Sequence, residues 1–515
     1  MGSVLVPLTA VPSRGHQRAC SFKPYLGRPL LALQSRCEYL KNCLQWQFFD
    51  VVGRLPLGRR HVDKTNTIRC SPTSTKGSFP AKHFLSNSTI LSKMEATLDP
   101  IFQGRVDSKR IPGAAAVALG ASGEVLFSKG YGNVVAGDTS SPKVTPDTPA
   151  LIWSCTKLVT CVAGMQLIEQ GKLNLDDPVE KYVPAIADVP KLEGWNDDGS
   201  PKLGKQTNKI KVINLFTHTS GFSYDFFNQD ALKWRISQNQ PPVAYVTRSS
   251  KEEYNLPLVF EPGERWEYGC NQEWIGYIIE AISGLGLAEY IDKNIVQPLG
   301  LKNTGVKLSE DQDKEFFTVH TKNAAGELTP TPMRMVENPE VVPGGHFLYS
   351  SCADYTQILL TLLNNGTHPK SGVKILESDT VEKYVFKDLL PSIGTSGNGV
   401  GDVPSTVNPV TSTGTLLPGI SKGWSLVGLI NNEDAPNGRN KSSAMWAGLG
   451  NCYFWMDQTA GKLGFVVSAI LPFYDRDVLY LADALERAVY DKPQAKEIGE
   501  KGSNFEGGVV KDAEQ

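Results

Sequence analysis

Apolar positions recur along this chain in two periods, and the switches between them outline its elements. Ala114 to Leu119 is a run of small apolar residues, Gly120-Ala121-Ser122-Gly123 is turn chemistry, and Val125 to Ser128 follows. This predicts a β-hairpin, with regular structure setting in at about residue 111. Ser154 to Gln170 is apolar on nearly every face, with Ser154 placed to cap it and Gly171 to stop it. Such a segment predicts a buried central helix. Asp177-Pro178 with Val179 and Tyr182 opens a short helix, and the polar, Gly- and Lys-rich stretch 187–209 reads as an inserted loop. A helical period returns over Ile210–Phe216 and again at Trp274, Ile275, Ile278 and Ile282. After a Gly/Ser/Thr/Pro-rich loop at 385–420 come strand patterns at Trp424–Ile430, Ser443–Trp446, Cys452–Met456 and Phe465–Ile470. Val478, Leu481, Leu485 and Ala488 mark a final amphipathic helix. Strands thus sit at both ends and helices between them. The simplest assembly is an α+β fold: one antiparallel sheet built from N- and C-terminal strands and flanked by helices, with an inserted, mostly helical lobe and a cleft between the two.

Charge divides the chain. Residues 1–93 carry 14 basic and three acidic side chains, whereas 94–515 carry 38 basic and 51 acidic ones. The break predicts that 1–93 is not part of the same folded unit; 94–492 is then read as one folded domain and 493–515 as a polar tail. The basic segment is Arg- and Ser-rich and reads as a disordered or artefactual extension, or as an organelle transit segment. Met94-Glu95-Ala96-Thr97-Leu98 resembles a natural start. A cytoplasmic location is expected, with organelle import through the basic segment as the alternative. Nine cysteines without Cys-x-x-Cys or zinc spacing suggest reduced thiols rather than a disulfide framework or a metal site. No apolar run approaches the ~20 residues of a membrane span. A net charge of -2 implies no nucleic-acid partner. No phosphate-binding, dinucleotide or metalloprotease signature occurs, so no cofactor and no metal is expected.

The chemistry rests on Ser154-Cys155-Thr156-Lys157. Three residues are almost one helical turn, so Ser154 and Lys157 share a face and a neutral Lys157 amine could take the hydroxyl proton. The pattern occurs three times, at Ser140/Lys143, Ser154/Lys157 and Ser371/Lys374. Pro142 interrupts the first and Gly372 sits in the third. Only Ser154 opens a long apolar helix, where a lysine one turn in is costly without a purpose. The bland alternative is an ordinary cap with Lys157 reaching solvent. A Ser-His-Asp site would need His218 or His346 as base, but no Gly-x-Ser-x-Gly elbow is present.

Together the motifs resemble the serine β-lactamase and penicillin-binding-protein superfamily, and within it the class C-like esterases and fungal transesterases of the lovastatin-synthesis type. The resemblance runs from about Met94 to Tyr490. Ser154-Cys155-Thr156-Lys157 matches the first motif. Phe216-Thr217-His218-Thr219-Ser220-Gly221 matches a structural segment, and Phe260-Glu261-Pro262-Gly263 with Tyr268-Gly269 matches the second motif and its approach. Gly344-Gly345 through Ser350 and Ala353-Asp354-Tyr355 match a further stretch, and Trp446-Ala447-Gly448 the third motif. The resemblance implies Ser154 as nucleophile, Lys157 and Tyr268 sharing its proton, and the backbone N–H groups of Ser154 and Leu449 as the oxyanion hole, with Trp446 and Gly448 against the substrate. Two departures matter. Cys270 stands where β-lactamases carry Asn, with Asn271 one place on. Trp446 replaces the Lys that binds a substrate carboxylate, which argues for an apolar, polyketide-like substrate. The expectation is a transesterase, acyltransferase or esterase acting on a small-molecule ester or thioester, with an acyl-carrier donor as one option. A β-lactamase or D-amino-acid peptidase, and a non-catalytic binding protein on the same scaffold, are the alternatives. Whether water or an alcohol accepts the acyl group, and the oligomeric state, stay open.

Overall fold

The computed structural model describes residues 87–242, 254 and 256–495; the basic segment before 87 and most of the C-terminal tail lie outside the described residues. Its centre is a seven-stranded antiparallel sheet. The strands are β1 (Gly113–Gly120), β2 (Val125–Gly132), β3 (Lys422–Trp424), β4 (Leu429–Asn431), β5 (Ala444–Gly448), β6 (Cys452–Asp457) and β7 (Lys462–Val467), in the order β3-β4-β5-β6-β7-β1-β2. The N-terminal hairpin therefore closes on the last C-terminal strand: Val117 faces Phe465 on one side and Ser128 on the other. Every residue of β1 is buried. Its run of alanines makes this possible, because helices press on both faces and small side chains let them approach.

One face carries α1 (Asn87–Asp107) and, later in the chain, the C-terminal helix α5 (Arg476–Val489). The other carries α4 (Cys352–Leu363), packed on β7 and β1. Beyond it lies the helical lobe, where α2 (Thr156–Glu169) packs against α3 (Asn271–Ser283). Burial of α2 is nearly complete, from Thr156 to Leu167, as its all-round apolar pattern predicts.

Four expectations need correction. Regular structure begins before residue 111. Met94, Leu98 and Phe102, four residues apart, bury one stripe of α1, with Leu98 and Phe102 at 0% exposure. Polar neighbours and Pro100 within the helix hide that stripe. The stretch 187–209 is not a plain loop but holds a hairpin, Pro190–Trp195 with Pro201–Lys205. Its strands are mostly half-buried or exposed, with Leu192 the one buried residue, so they lack the apolar alternation that marks a strand. The single strand expected over Trp424–Ile430 is two, β3 and β4. Ser425 Oγ accepts from the N–H groups of Val427 and Gly428 at 3.1 and 3.2 Å and turns the chain between them. Ser154, lastly, does not cap the central helix. The cap position of α2 is Cys155 and carries no side-chain cap bond. The long 385–420 region is irregular as expected, apart from a 3-10 turn at Leu390–Ile393 and a two-residue strand pair, Asp402–Val403 with Gly414–Thr415.

Candidate active site

Ser154 lies in a 3-10 turn, Trp153–Cys155, between a short strand at Ala150–Leu151 and the first turn of α2. Trp153 holds φ of 48°, a left-handed conformation that is strained for a bulky residue and costs on the order of 1–3 kcal/mol. Surrounding structure imposes it. A Cβ on Gly448, at the end of β5, would stand 2.3 Å from Ile152 O, and one on Gly450 would stand 2.4 Å from Trp153 Nε1. The end of β5 therefore presses on the Ser154 turn as only glycine allows. Tyr355 Oη donates to Cys155 O at 2.9 Å, and Thr156 Oγ1 accepts from Leu348 N–H at 3.1 Å, which pins the turn from the other side. Freed from capping, the Ser154 hydroxyl faces Lys157.

Lys157 is 2% exposed. Its Nζ lies 3.2 Å from Ser154 Oγ and donates to Tyr224 Oη at 3.0 Å and to Gly345 O at 2.9 Å, an arrangement that leaves the lone pair of a neutral amine for the serine hydroxyl. The ring of Tyr268 lies 4.8 Å from the same nitrogen. Tyr268 is brought to the site as expected, yet its Oη accepts a 3.0 Å hydrogen bond from Trp446 Nε1. The phenol that hydrogen-bonds Lys157 is Tyr224, which sequence reasoning missed. Tyr224 follows the Thr217–Gly221 segment by three residues, and that placement was its one visible signal.

His218 is a structural residue. It is fully buried, with Nδ1 2.8 Å from Asn271 Nδ2 and accepting from Gly269 N–H at 3.3 Å. Burial first, and then the charge of Lys157, push its imidazole well below the ordinary histidine range, so it stays neutral. It thus holds the chain just past Tyr268. Asn271, the displaced motif residue, accepts from Ser220 Oγ. His346 sits in the cleft wall, where Nδ1 lies 3.4 Å from Glu273 Oε1.

Ser154, Tyr268, Trp446, Gly448 and Leu449 all line one cleft, whose empty volume is about 580 Å³ counted out to its mouth. Its walls add Tyr224, Phe226, Phe227, Val403, Leu416 and Phe473. The Tyr268 and Trp446 rings stand 4.8 Å apart, and Trp424 backs Trp446 at 4.6 Å. An aromatic cleft of this kind suits apolar matter. Burial raises the neighbouring Cys155 thiol well above its usual range, so it does not compete as a nucleophile. Among the described residues no three His, Cys, Asp or Glu side chains gather as metal ligands would, and no helix is long and apolar enough to cross a membrane.

The profile of the family described as Beta-lactamase matches residues 98–486. The chain is 29% identical to monacolin J acid methylbutanoyltransferase of Aspergillus terreus over 420 residues, covering 78% of this chain and 98% of the relative. It is 27% identical to lovastatin esterase of Penicillium rubens, over 77% of this chain and 99% of that one. Among solved structures, unliganded simvastatin synthase from Aspergillus terreus superposes with a TM-score of 0.64 at 27% identity, covering 78% of this chain and 99% of the other.

Proposed function

This chain belongs to the beta-lactamase family, and from that premise we propose that it is a serine acyl-transfer enzyme of the transesterase and ester-hydrolase kind, acting on a small apolar, polyketide-like natural product. The observation that carries the reading is Ser154 Oγ, 3.2 Å from a buried Lys157 Nζ at the floor of an aromatic cleft. Ser154 attacks the acyl carbonyl of an ester or thioester as its proton moves to Lys157; the donor's C–O or C–S bond then breaks, the alcohol or thiol leaves with that proton, and the acyl group is held as an ester on Oγ. The N–H groups of Ser154 and Leu449 receive the developing oxyanion, consistent with the way the Gly448–Gly450 backbone presses on the nucleophile turn. Tyr268, with Trp446 donating to its oxygen, stands beside the second substrate and assists removal of a proton from the acceptor alcohol or water. Trp446 where β-lactamases place a cation fits an uncharged, apolar group. The names of the relatives point the same way: one transfers a methylbutanoyl group to monacolin J acid and one is an esterase of lovastatin.

Intact-protein mass spectrometry with a short-chain activated ester or thioester tests this. Wild type should gain one acyl mass and Ser154→Ala none; labelling that survives the substitution sinks the assignment. Brisk turnover of a chromogenic cephalosporin would instead favour β-lactam chemistry.

A further inference from the structure

The group that sequence reasoning never touched is Glu273, in the first turn of α3. It is 2% exposed, and its Oε2 has no hydrogen-bond partner. Its Oε1 meets Tyr224 Oη at 3.5 Å and His346 Nδ1 at 3.4 Å. A buried carboxylate with one oxygen unbonded is expensive unless a cation stands close. Lys157 is the group that becomes one as the serine attacks. A Cβ built on Gly345 would lie 2.3 Å from Glu273 Oε1 and 3.1 Å from Lys157 Nζ, so the carboxylate and the amine flank the same glycine. Donor directions also agree: Lys157 donates to Tyr224 Oη, and Tyr224 donates to Glu273 Oε1. Ser154, Lys157, Tyr224 and Glu273 thus form one line from the nucleophile to a buried anion.

We propose that Glu273 is a positioning residue and the counter-charge of Lys157, acting through Tyr224 to stabilise the ammonium that forms when Ser154 attacks. The inference rests on the acyl-transfer reading above. In the step, the Ser154 hydroxyl proton passes to the Lys157 lone pair while an Oγ lone pair forms the bond to the acyl carbon. On collapse the ammonium returns that proton to the departing oxygen or sulfur. No proton moves to Glu273 in this step. Its charge lowers the cost of a positive lysine inside an apolar site, where such interactions are strongest. Other titratable groups facing this pair are His346 from the 344–350 segment, Cys270 ahead of α3 and Tyr277 one turn along it. Tyr268, His218, Cys155 and Cys161 face Lys157, and the buried Asp225–Arg235 pair adjoins Tyr224.

The test is the pH-rate profile of acylation by an activated ester for wild type, Glu273→Gln and Glu273→Asp. Glu273→Gln keeps the shape and removes the charge. Its plateau rate should fall about 10- to 100-fold, and its acid limb should move about one pH unit lower, with KM little changed. Glu273→Asp should lose rate but keep the wild-type limb. A Glu273→Gln limb that superposes on wild type overturns the proposal, because a purely structural role lowers the plateau alone. A second readout needs no turnover. In a melting cycle with Lys157→Met, run at a pH below the acid limb, the double variant should cost less than the two single losses added, and additive losses there overturn the proposal. If wild type forms no Ser154 adduct, the acyl-transfer reading itself has failed. If the adduct forms and the limb stays put, only the role of Glu273 has.

Discussion

At the residue scale, the site depends on places where a side chain is missing as much as on those present. Gly345 is the clearest case: its carbonyl accepts from Lys157, and its bare Cα lets Lys157 and Glu273 close on it. Gly345→Ala would put a methyl group 2.3 Å from Glu273 Oε1, so one of the two must move. Misplacing a reacting group by about 1 Å can cost ~100-fold in rate, so Gly345→Ala should lose most acylation while melting near wild type. A rate within about threefold of wild type would show that the approach has slack. Trp446→Phe keeps an aromatic wall and removes one donor, the indole N–H on Tyr268 Oη. Its effect should fall on transfer to the acceptor. A burst of acylation at wild-type amplitude followed by slower turnover is the expected record, and a slowed burst would place Tyr268 in the first half-reaction instead.

Elements with strong periodicity were legible and those held by single polar contacts were not. The buried helix α2 and the β1–β2 hairpin declare themselves, because continuous burial and alternation leave a mark on composition. The hairpin over 190–205 leaves none, since much of its surface is exposed and what anchors it is a backbone bridge to Leu258 together with Glu261. That carboxylate accepts from Lys191 Nζ at 2.6 Å and from the N–H groups of Thr207 and Asn208 at 3.0 and 3.2 Å. It thereby ties the hairpin to the turn that leads into Tyr268. Partial burial works to raise its pKa, but Lys191 and the two N–H groups outweigh that and hold it at about 2, against an ordinary 4.5. A carboxyl depressed on folding stabilises the native state above its unfolded value and loses that contribution as pH falls toward the folded one. Glu261→Gln should therefore melt below wild type near neutrality, with the gap narrowing as pH drops from about 4.5 toward 3. A gap constant with pH would mean that Glu261 acts through shape rather than charge. The same reasoning explains why Tyr224 and Glu273 escaped notice. Their roles come from a meeting of α2, α3 and two loops, and no local pattern encodes such a meeting.

On the scale of the whole molecule, the sheet joins the ends of the domain, since β1 lies between β2 and the late strand β7. Pairing the two ends was readable from where strand patterns fell; α1 was not, because its stripe is only Met94, Leu98 and Phe102. The charge break at residue 93 suggested a domain starting at Met94, whereas α1 runs through that position from Asn87. The contacts around it set out what a shortened chain must keep. Lys93 pairs with Asp491, but both side chains are more than 60% exposed, and such a pair contributes about 0–1 kcal/mol. Among the side chains described, Met94 is the first that is buried. Leu98 and Phe102 are fully buried and together contribute roughly 3–6 kcal/mol, while Arg105 pairs with Asp477 of α5 at 3.1 Å. A chain beginning at Met94 should melt within a few degrees of one beginning at Asn87 and acylate at the same rate. A chain beginning at Ser108 should lose the α1 face, uncover β1 and β2, and aggregate or melt at least ~10 °C lower. Equal melting of all three would mean that α1 is dispensable and that the sheet is covered by α5 alone.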